Sequence, residues 1–524
     1  MKKLIALFLI LIICFLATAC NNKPNDATET PKKEKEEVEE TLCDDDGVEG
    51  HSDEDNDTYC DNCHIYVVTT FDFYAINDLH GKFATSDNTT GVEGLTTYLK
   101  KSTSLDDNPI ILSSGDMWQG GAHSNLTKGL IVTDWMNSMG FVSMTLGNHE
   151  FDWGESYVET NAELANFPFL AINIYDKDTN KLVDYCKSSV MVECNGLQVG
   201  IIGAIGDTYS SISSDKVQDV YFKTGSSLTS LVKSEAQKLR SEGAELIIYS
   251  LHDGYGKSTS DKVISDSALS SYYDVSLSGY VDLVFEGHTH CGYVLRDSKN
   301  VYHLQNSGDN GGISHTELEY NFANGNYEVT QAEHVSVSKY RDLDADSVVT
   351  ELLEKYKDQV AKADEILGVN DSSIDKNRLR SIVAELYFNA GNTRWGDKYN
   401  IVLGGGFMTV RSPGYLRAGT LTYGDIEAIL PFENQLVLCS IKGRDLLNKF
   451  INTSNSNYFI YCGEYGNSIK NKIDYNATYY VITDTYSAYY SYNNLTVIER
   501  YDETTFARDL LADYIKAGNL TSKK

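Results

Sequence analysis

Five short clusters of Asp, Asn, His and Glu punctuate residues 67–320. They are Asn77-Asp78-Leu79-His80-Gly81, Gly115-Asp116, Gly147-Asn148-His149-Glu150, His252-Asp253 and Gly287-His288-Thr289-His290. Each alone reads as an ordinary turn or a structural histidine. Together they offer carboxylates, an amide oxygen and imidazoles, with no thiolate. That donor set suits divalent ions of borderline hardness, Zn, Mn or Fe, and argues against a Cys-based structural zinc. Asp152 stands three residues after His149, close enough for a local carboxylate–imidazole hydrogen bond that fixes the tautomer and raises the basicity of the ring.

Something must bring these clusters together along that stretch. Each follows an apolar, β-branched run of strand character: 67–76, 110–112, 141–146, 244–250 and 281–285. The grammar repeats five times, strand and then a turn bearing Asp, Asn or His. In layered α/β folds, ligands collect at the carboxyl ends of strands, so the five turns are expected to converge.

The ordered set Asp-x-His, Gly-Asp, Gly-Asn-His-Glu, a lone His and Gly-His-x-His resembles the calcineurin-like metallophosphoesterase superfamily. Asn-Asp-Leu-His-Gly with Gly-Asn-His-Glu-Phe-Asp looks like its 5'-nucleotidase branch. The resemblance implies an α/β (α+β) chain, with an N-terminal four-layered α/β/β/α sandwich and a smaller α+β C-terminal domain. It implies two divalent ions, one held by Asp78, His80 and His290, the other by Asn148, His252 and His288, with Asp116 bridging. His149 and Asp152 match the catalytic dyad, and Asn148 also touches substrate. Two such ions clamp phosphoryl oxygens and lower the pKa of the attacking water.

The C-terminal half extends the likeness. Gly404-Gly405-Gly406-Phe407, then Arg411-Ser412-Pro413, then Pro431-Phe432-Glu433-Asn434 resemble the Gly-rich loop and Pro-Phe turn of the 5'-nucleotidase domain. Phe432 is expected to stack on a base and Arg411 to meet the phosphate. Leu403 and Met408 depart from the family's Asn and Arg at those places, and Arg411 is displaced. Tyr486, in a Tyr-rich run, stands where a second stacking ring is expected; it reads equally as part of a core strand.

Length and charge set the outer limits. The 524 residues suggest two to four domains at about 100–200 residues each. A formal charge of −31 excludes a protein that binds nucleic-acid polymers through a basic face. The expected division is a signal peptide over 1–20, a tether and acidic Cys-bearing segment over 21–66, a catalytic domain over 67–340, a connecting helix over 341–365 and a substrate-binding domain over 366–524.

Met1-Lys2-Lys3 and the apolar run that follows suit a secretory signal, and Leu16-Ala17-Thr18-Ala19-Cys20 resembles a bacterial lipobox, which implies that Cys20 is lipidated and the protein held on the outer face of the cytoplasmic membrane. The apolar run is short of the about 20 residues a membrane span needs. Further on, Asp53, Asp55 and Asp57 alternate as in a Ca2+ loop, although Thr58 and His64 stand where an EF-hand has Gly and Glu. Cys43, His51, Cys60 and Cys63 could instead ligate Zn2+, pair as disulfides, or belong to a solvated stalk. Cys186 and Cys194 are candidates to pair.

The function expected is extracellular hydrolysis of nucleotides, 5'-monophosphates first, to nucleoside and phosphate. The alternatives on the same scaffold are a 2',3'-cyclic-nucleotide phosphodiesterase or a nucleotide-sugar hydrolase. A binding or adhesive lipoprotein on an inactive phosphatase fold is the non-enzyme alternative. The substrate is a small molecule and the oligomeric state is open.

Overall fold

The computed structural model describes residues 52–520, apart from 55–57, 62, 64–66, 86–89, 103–108, 407–409, 412–413, 452–459, 465, 490–494 and 503. The N-terminal apolar run, Cys20, Cys43, His51, Asp55 and Asp57 therefore lie outside the described residues, as do Phe407, Met408, Ser412 and Pro413. Among the described residues no helix is long and apolar enough to cross a membrane.

Two sheets face each other in the N-terminal half. Five of their strands feed the site: β1 (Val68–Ile76), β2 (Ile110–Ser113) and β3 (Ser143–Thr145) in a six-stranded sheet, β4 (Leu246–His252) and β5 (Leu283–Glu286) in a seven-stranded one. β1, β2 and β3 run parallel as neighbours, and so do β4 and β5. Parallel neighbours bring their carboxyl ends to one edge.

The strands are apolar on both faces because both faces are covered. Phe71, Phe73 and Ala75 of β1 enter the core between the sheets with Ile248 of β4 and Phe285 of β5. The alternate residues Tyr74 and Ile76 pack outward, against Leu95, Leu99, Trp135 and Val158 of the flanking helices. Ile247, Tyr249 and Leu251 of β4 likewise meet Val232, Ala236 and Leu239 of the helix Gly225–Ser241. The result is helix, sheet, sheet, helix, as expected.

A helix Ser347–Val360, capped by Asp346 accepting from Val348 N, leads out of this half. It begins later than the expected 341, because the Asp346 side chain satisfies the first free amides there. Beyond it, a five-stranded sheet carries apolar layers on both faces, one built on the helix Lys376–Trp395 and one on the segment Leu446–Ile451.

Two sequence expectations are corrected here. Gly404, Gly405 and Gly406 do not form a loop; they end the strand Ile401–Gly406. A Cβ on Gly404 would lie 2.3 Å from Phe388 N and one on Gly405 2.4 Å from Ile460 O. These glycines let a helix and a neighbouring strand approach closely. Cys186 and Cys194 do not pair: Cys186 is a free thiol donating to Ala171 O at 3.5 Å. It faces the outer core while Cys194 faces the core between the sheets. Asp53 is buried, and its Oδ2 accepts from Asn321 Nδ2 at 2.6 Å and Thr58 N at 3.3 Å, joining the acidic segment to the end of a sheet strand.

Beneath the site lies a fully buried ionic cluster. His303 Nδ1 donates to Glu286 Oε1 at 2.7 Å, and its Nε2 is 3.7 Å from Asp297 Oδ2, ion-pair rather than hydrogen-bond range. Tyr293 donates to the other Glu286 oxygen at 2.5 Å. Burial favours the neutral ring, but Glu286 and Asp297 push His303 up to about 9. A raised histidine contributes stability that is complete below its unfolded value near 6.5 and fades as pH rises through about 9. Removing the ring leaves two buried carboxylates unpaired. His303→Ala should cost about 3–5 kcal/mol in denaturant unfolding; a loss under about 1 kcal/mol would mean the cluster is well hydrated.

Candidate metal centre and substrate cavity

The turns after the five strands meet at one edge. Asp78, His80 and His290 bring ligand-capable atoms together, as do Asp116, His252 and His288, while His80, Asp116 and His149 link the two groups. Asn148 completes the second group: its Oδ1 is 3.1 Å from His252 Nε2 and 2.9 Å from His288 Nδ1. All seven expected ligand positions and His149 are thus gathered. Residues as far apart in sequence as Asp78 and His288, 210 positions, touch directly here.

Local backbone is bent to aim them. Asp78, His80, Asp116, His288 and His290 have φ of 51°, 50°, 57°, 74° and 54°. Non-glycine residues in this left-handed region carry of order 1–3 kcal/mol of strain each, tolerated where the surroundings over-determine the conformation. Gly147 leaves room for Asp116, since a Cβ there would lie 2.4 Å from Asp116 Oδ1.

The donor set calls for cations. His252 donates from Nδ1 to Ser114 O at 2.7 Å, which turns the Nε2 lone pair toward Asp116 Oδ2, 3.2 Å away, and Asn148 Oδ1. His80 donates from Nδ1 to Gln119 O at 2.9 Å, so its Nε2 lone pair faces His290 Nε2 at 2.9 Å. Such second partners fix the tautomers of metal-binding imidazoles. Asp78 Oδ2 accepts from His288 N and Asn77 Nδ2, while Oδ1 is buried with no hydrogen bond. Lone pairs that converge without a donor fit divalent ions. The carboxylates favour positive charge at this edge: burial favours neutral rings, yet Asp116 pushes His252 up to about 10, and Asp309 with Asp78 pushes His290 up to about 10. His288 is drawn down to about 4 by burial and by His252, which outweigh the pull of Asp116 and Asp78.

His149 donates from Nδ1 to Asp152 Oδ2 at 2.7 Å, and its Nε2 accepts from Arg411 Nη2 at 2.5 Å. Its backbone N donates to Asp116 Oδ1 at 2.8 Å. The Phe432 ring lies 5.8 Å from the His149 ring, and the Arg411 guanidinium sits 5.4 Å from the centre of Phe432. A cavity of about 240 Å³ joins these groups, with Asn148, His149, Asp152 and His288 on one wall and Arg411, Phe432 and Tyr486 on the other. Tyr486 lies on the helical turn Thr485–Tyr489 that follows a strand, and not within the strand. Every expected substrate contact therefore reaches one space.

Other residues here were not singled out from the sequence. Glu150 is fully buried and accepts from the backbone N of Asp116, Met117 and Gly147 at 2.9, 2.8 and 2.7 Å. Burial, with Asp116 adding to it, pushes Glu150 up to about 7. It ties the turn after β2 to the turn after β3. Its place in Gly-Asn-His-Glu was the available signal. Asp309 Oδ2, 3.7 Å from His290 Nδ1, and the Ser211, Ser213 and Lys216 wall of the cavity carried none.

Residues 71–292 match the family model described as calcineurin-like phosphoesterase. The chain is 25% identical over 419 residues to Protein UshA of Yersinia enterocolitica, covering 71% of this chain and 74% of that one. It is 24% identical over 427 residues to a 5'-nucleotidase of Vibrio vulnificus, covering 71% and 73%. The solved 5'-nucleotidase precursor from Thermus thermophilus shares the fold with a TM-score of 0.65 at 18% identity, covering 87% of this chain and 97% of that one.

Proposed function

We propose, for a chain that belongs to the 5'-nucleotidase family of calcineurin-like phosphoesterases and is a phosphoric ester hydrolase, that it converts nucleoside 5'-monophosphates to nucleoside and phosphate. One observation carries the reading: the cavity that opens on the His/Asp cluster is the cavity that exposes Phe432 and Tyr486. A phosphoryl group and a flat base can be held at once.

Asp78, His80 and His290 would hold one divalent ion and Asn148, His252 and His288 the other, with Asp116 shared. What such ions supply is charge for the phosphoryl oxygens and a water of lowered pKa. The chain's own groups do the rest. Arg411 leaves His149 Nε2 for the incoming phosphate, a charge-assisted contact stronger than its bond to a neutral ring. The freed Nε2 lies beside the reacting group, where it takes up a proton from solvent and then hands it to the leaving alkoxide or uses it to hydrogen-bond the phosphoryl oxygens. Asp152 holds the ring in place by accepting from Nδ1. Phe432 and Tyr486 clamp the base and keep the ester oxygen in line.

The place of action we propose is outside the cytoplasmic membrane, on a lipid at Cys20. The basic start, apolar run and polar tether in the sequence support it.

Paired substrates test the assignment. Base stacking on an aromatic side chain contributes about 1–3 kcal/mol by alanine substitution. Phe432→Ala should therefore lower kcat/KM for AMP by roughly 5- to 150-fold while sparing a small aryl phosphate. Arg411→Ala should weaken both, because both carry the phosphate. Equal losses in Phe432→Ala would make the ring a fold element and remove the nucleoside from the reading.

A further inference from the structure

The turn that carries Phe432 is gripped from both halves of the chain. Its Pro431 O accepts from Arg508 Nη1 at 2.9 Å in the C-terminal half and from Asn125 Nδ2 at 3.3 Å in the N-terminal half. Glu433, on the other side of Phe432, has one oxygen shared by Arg508 Nη2 at 2.8 Å and Lys128 Nζ at 2.5 Å. Asn125 Nδ2 also donates to Glu427 Oε1 at 3.0 Å, and Arg508 Nη1 lies 3.3 Å from the same carboxylate. Two cations and two carboxylates form a neutral, largely buried knot around the ring's backbone.

Lys128 is built for its part. Its φ is 53°, in the left-handed region, and its carbonyl accepts from Asn161 Nδ2 at 2.8 Å. The ammonium lies 5.2 Å from the centre of the Trp153 ring, next to Asp152 of the dyad. Burial opposes the charge on Glu433, yet Lys128 and Arg508 hold its carboxyl below the usual range. The charged pair thus spans the two halves at the turn that carries Phe432, whose ring lies 5.8 Å from that of His149.

We infer that Lys128 is a positioning residue for substrate selection: through Glu433 it fixes Phe432 over the dyad, so that the base platform and the phosphate site stay in register. The inference rests on the nucleotidase reading above. Lys128 itself does not line the cavity. Its loss leaves the His/Asp cluster and His149 in place but lets the Phe432 turn shift away, so substrates that use the ring suffer and substrates that do not are spared.

The test is steady-state kinetics of full-length Lys128→Met on AMP and on a small aryl phosphate, with thermal midpoint and metal content measured alongside. KM for AMP should rise about 10-fold, the size of coupling typical of contacting charged pairs, with kcat for the aryl phosphate changed less than about twofold. Lys128→Arg should restore most of the AMP affinity. Lys128→Gln keeps the stem and removes the charge, and should repeat the AMP defect if the Met variant does not fold. An unchanged KM for AMP, or equal losses on both substrates, overturns the positioning role alone. A wild-type chain that leaves AMP intact overturns the nucleotidase reading as well.

Discussion

Asp116→Ala should reduce turnover of every phosphate ester to near background. Asp116 stands with His252 and His288 in one group of ligand-capable atoms and with His80 and His149 in another, with Oδ2 3.2 Å from His252 Nε2 and Oδ1 accepting from His149 N. Its removal leaves His252, His288 and Asn148 as one donor set and Asp78, His80 and His290 as another, joined by the bond from His288 N to Asp78 Oδ2 but with no carboxylate between them. Replacing partners one step further from an ion commonly costs about 10- to 100-fold, so loss of the shared ligand should exceed that. The chain should still fold, because Glu150 continues to bind the amides of residues 116, 117 and 147. Alanine also removes a buried charge that His252 must otherwise balance. Metal analysis per chain, circular dichroism and turnover on AMP separate the outcomes. Wild-type activity with two ions per chain would sink the assignment of the site.

That juxtaposition was legible because its determinants are local. Each turn residue follows directly on a strand that both faces bury, and the parallel pairings of β1 with β2 and β4 with β5 bring the turns to one edge. What was not legible is non-local. Asn125 and Lys128 meet Glu427 and Glu433 from 302 and 305 positions away, and no spacing rule covers such a pair. The glycines at 404–406 were misplaced for a related reason. A Gly run reads as a loop by composition, but the approach of Phe388 and Ile460 makes small residues a packing requirement within a strand. Tyr486 was undecided between core and cavity because an aromatic run has the same composition in either. Only the helical turn after the strand Thr478–Asp484 directs that ring into the cavity.

His149→Ala should keep the ions and lose the rate. His149 has both ring nitrogens engaged, Nδ1 by Asp152 and Nε2 by Arg411, and an imidazole so engaged has no lone pair left for an ion. Its nitrogen nonetheless lies close enough to His80 and Asp116 to act as a ligand if Arg411 withdrew, so metal content is the deciding measurement. As a proton donor or oxyanion partner, His149 should be worth about 10²–10⁴-fold in kcat, seen on AMP and aryl phosphate alike because both share the leaving-oxygen chemistry. Asp152→Asn should cost less. The amide oxygen can still accept from Nδ1 and hold the same tautomer, and only the charge-assisted strength of that hydrogen bond is lost. The order His149→Ala well below Asp152→Asn, with ions retained in both, is what a dyad requires. If His149→Ala instead shed an ion while Asp152→Asn did not, His149 would be a ligand, and the proton would have to come from Arg411-bound water or from the substrate itself.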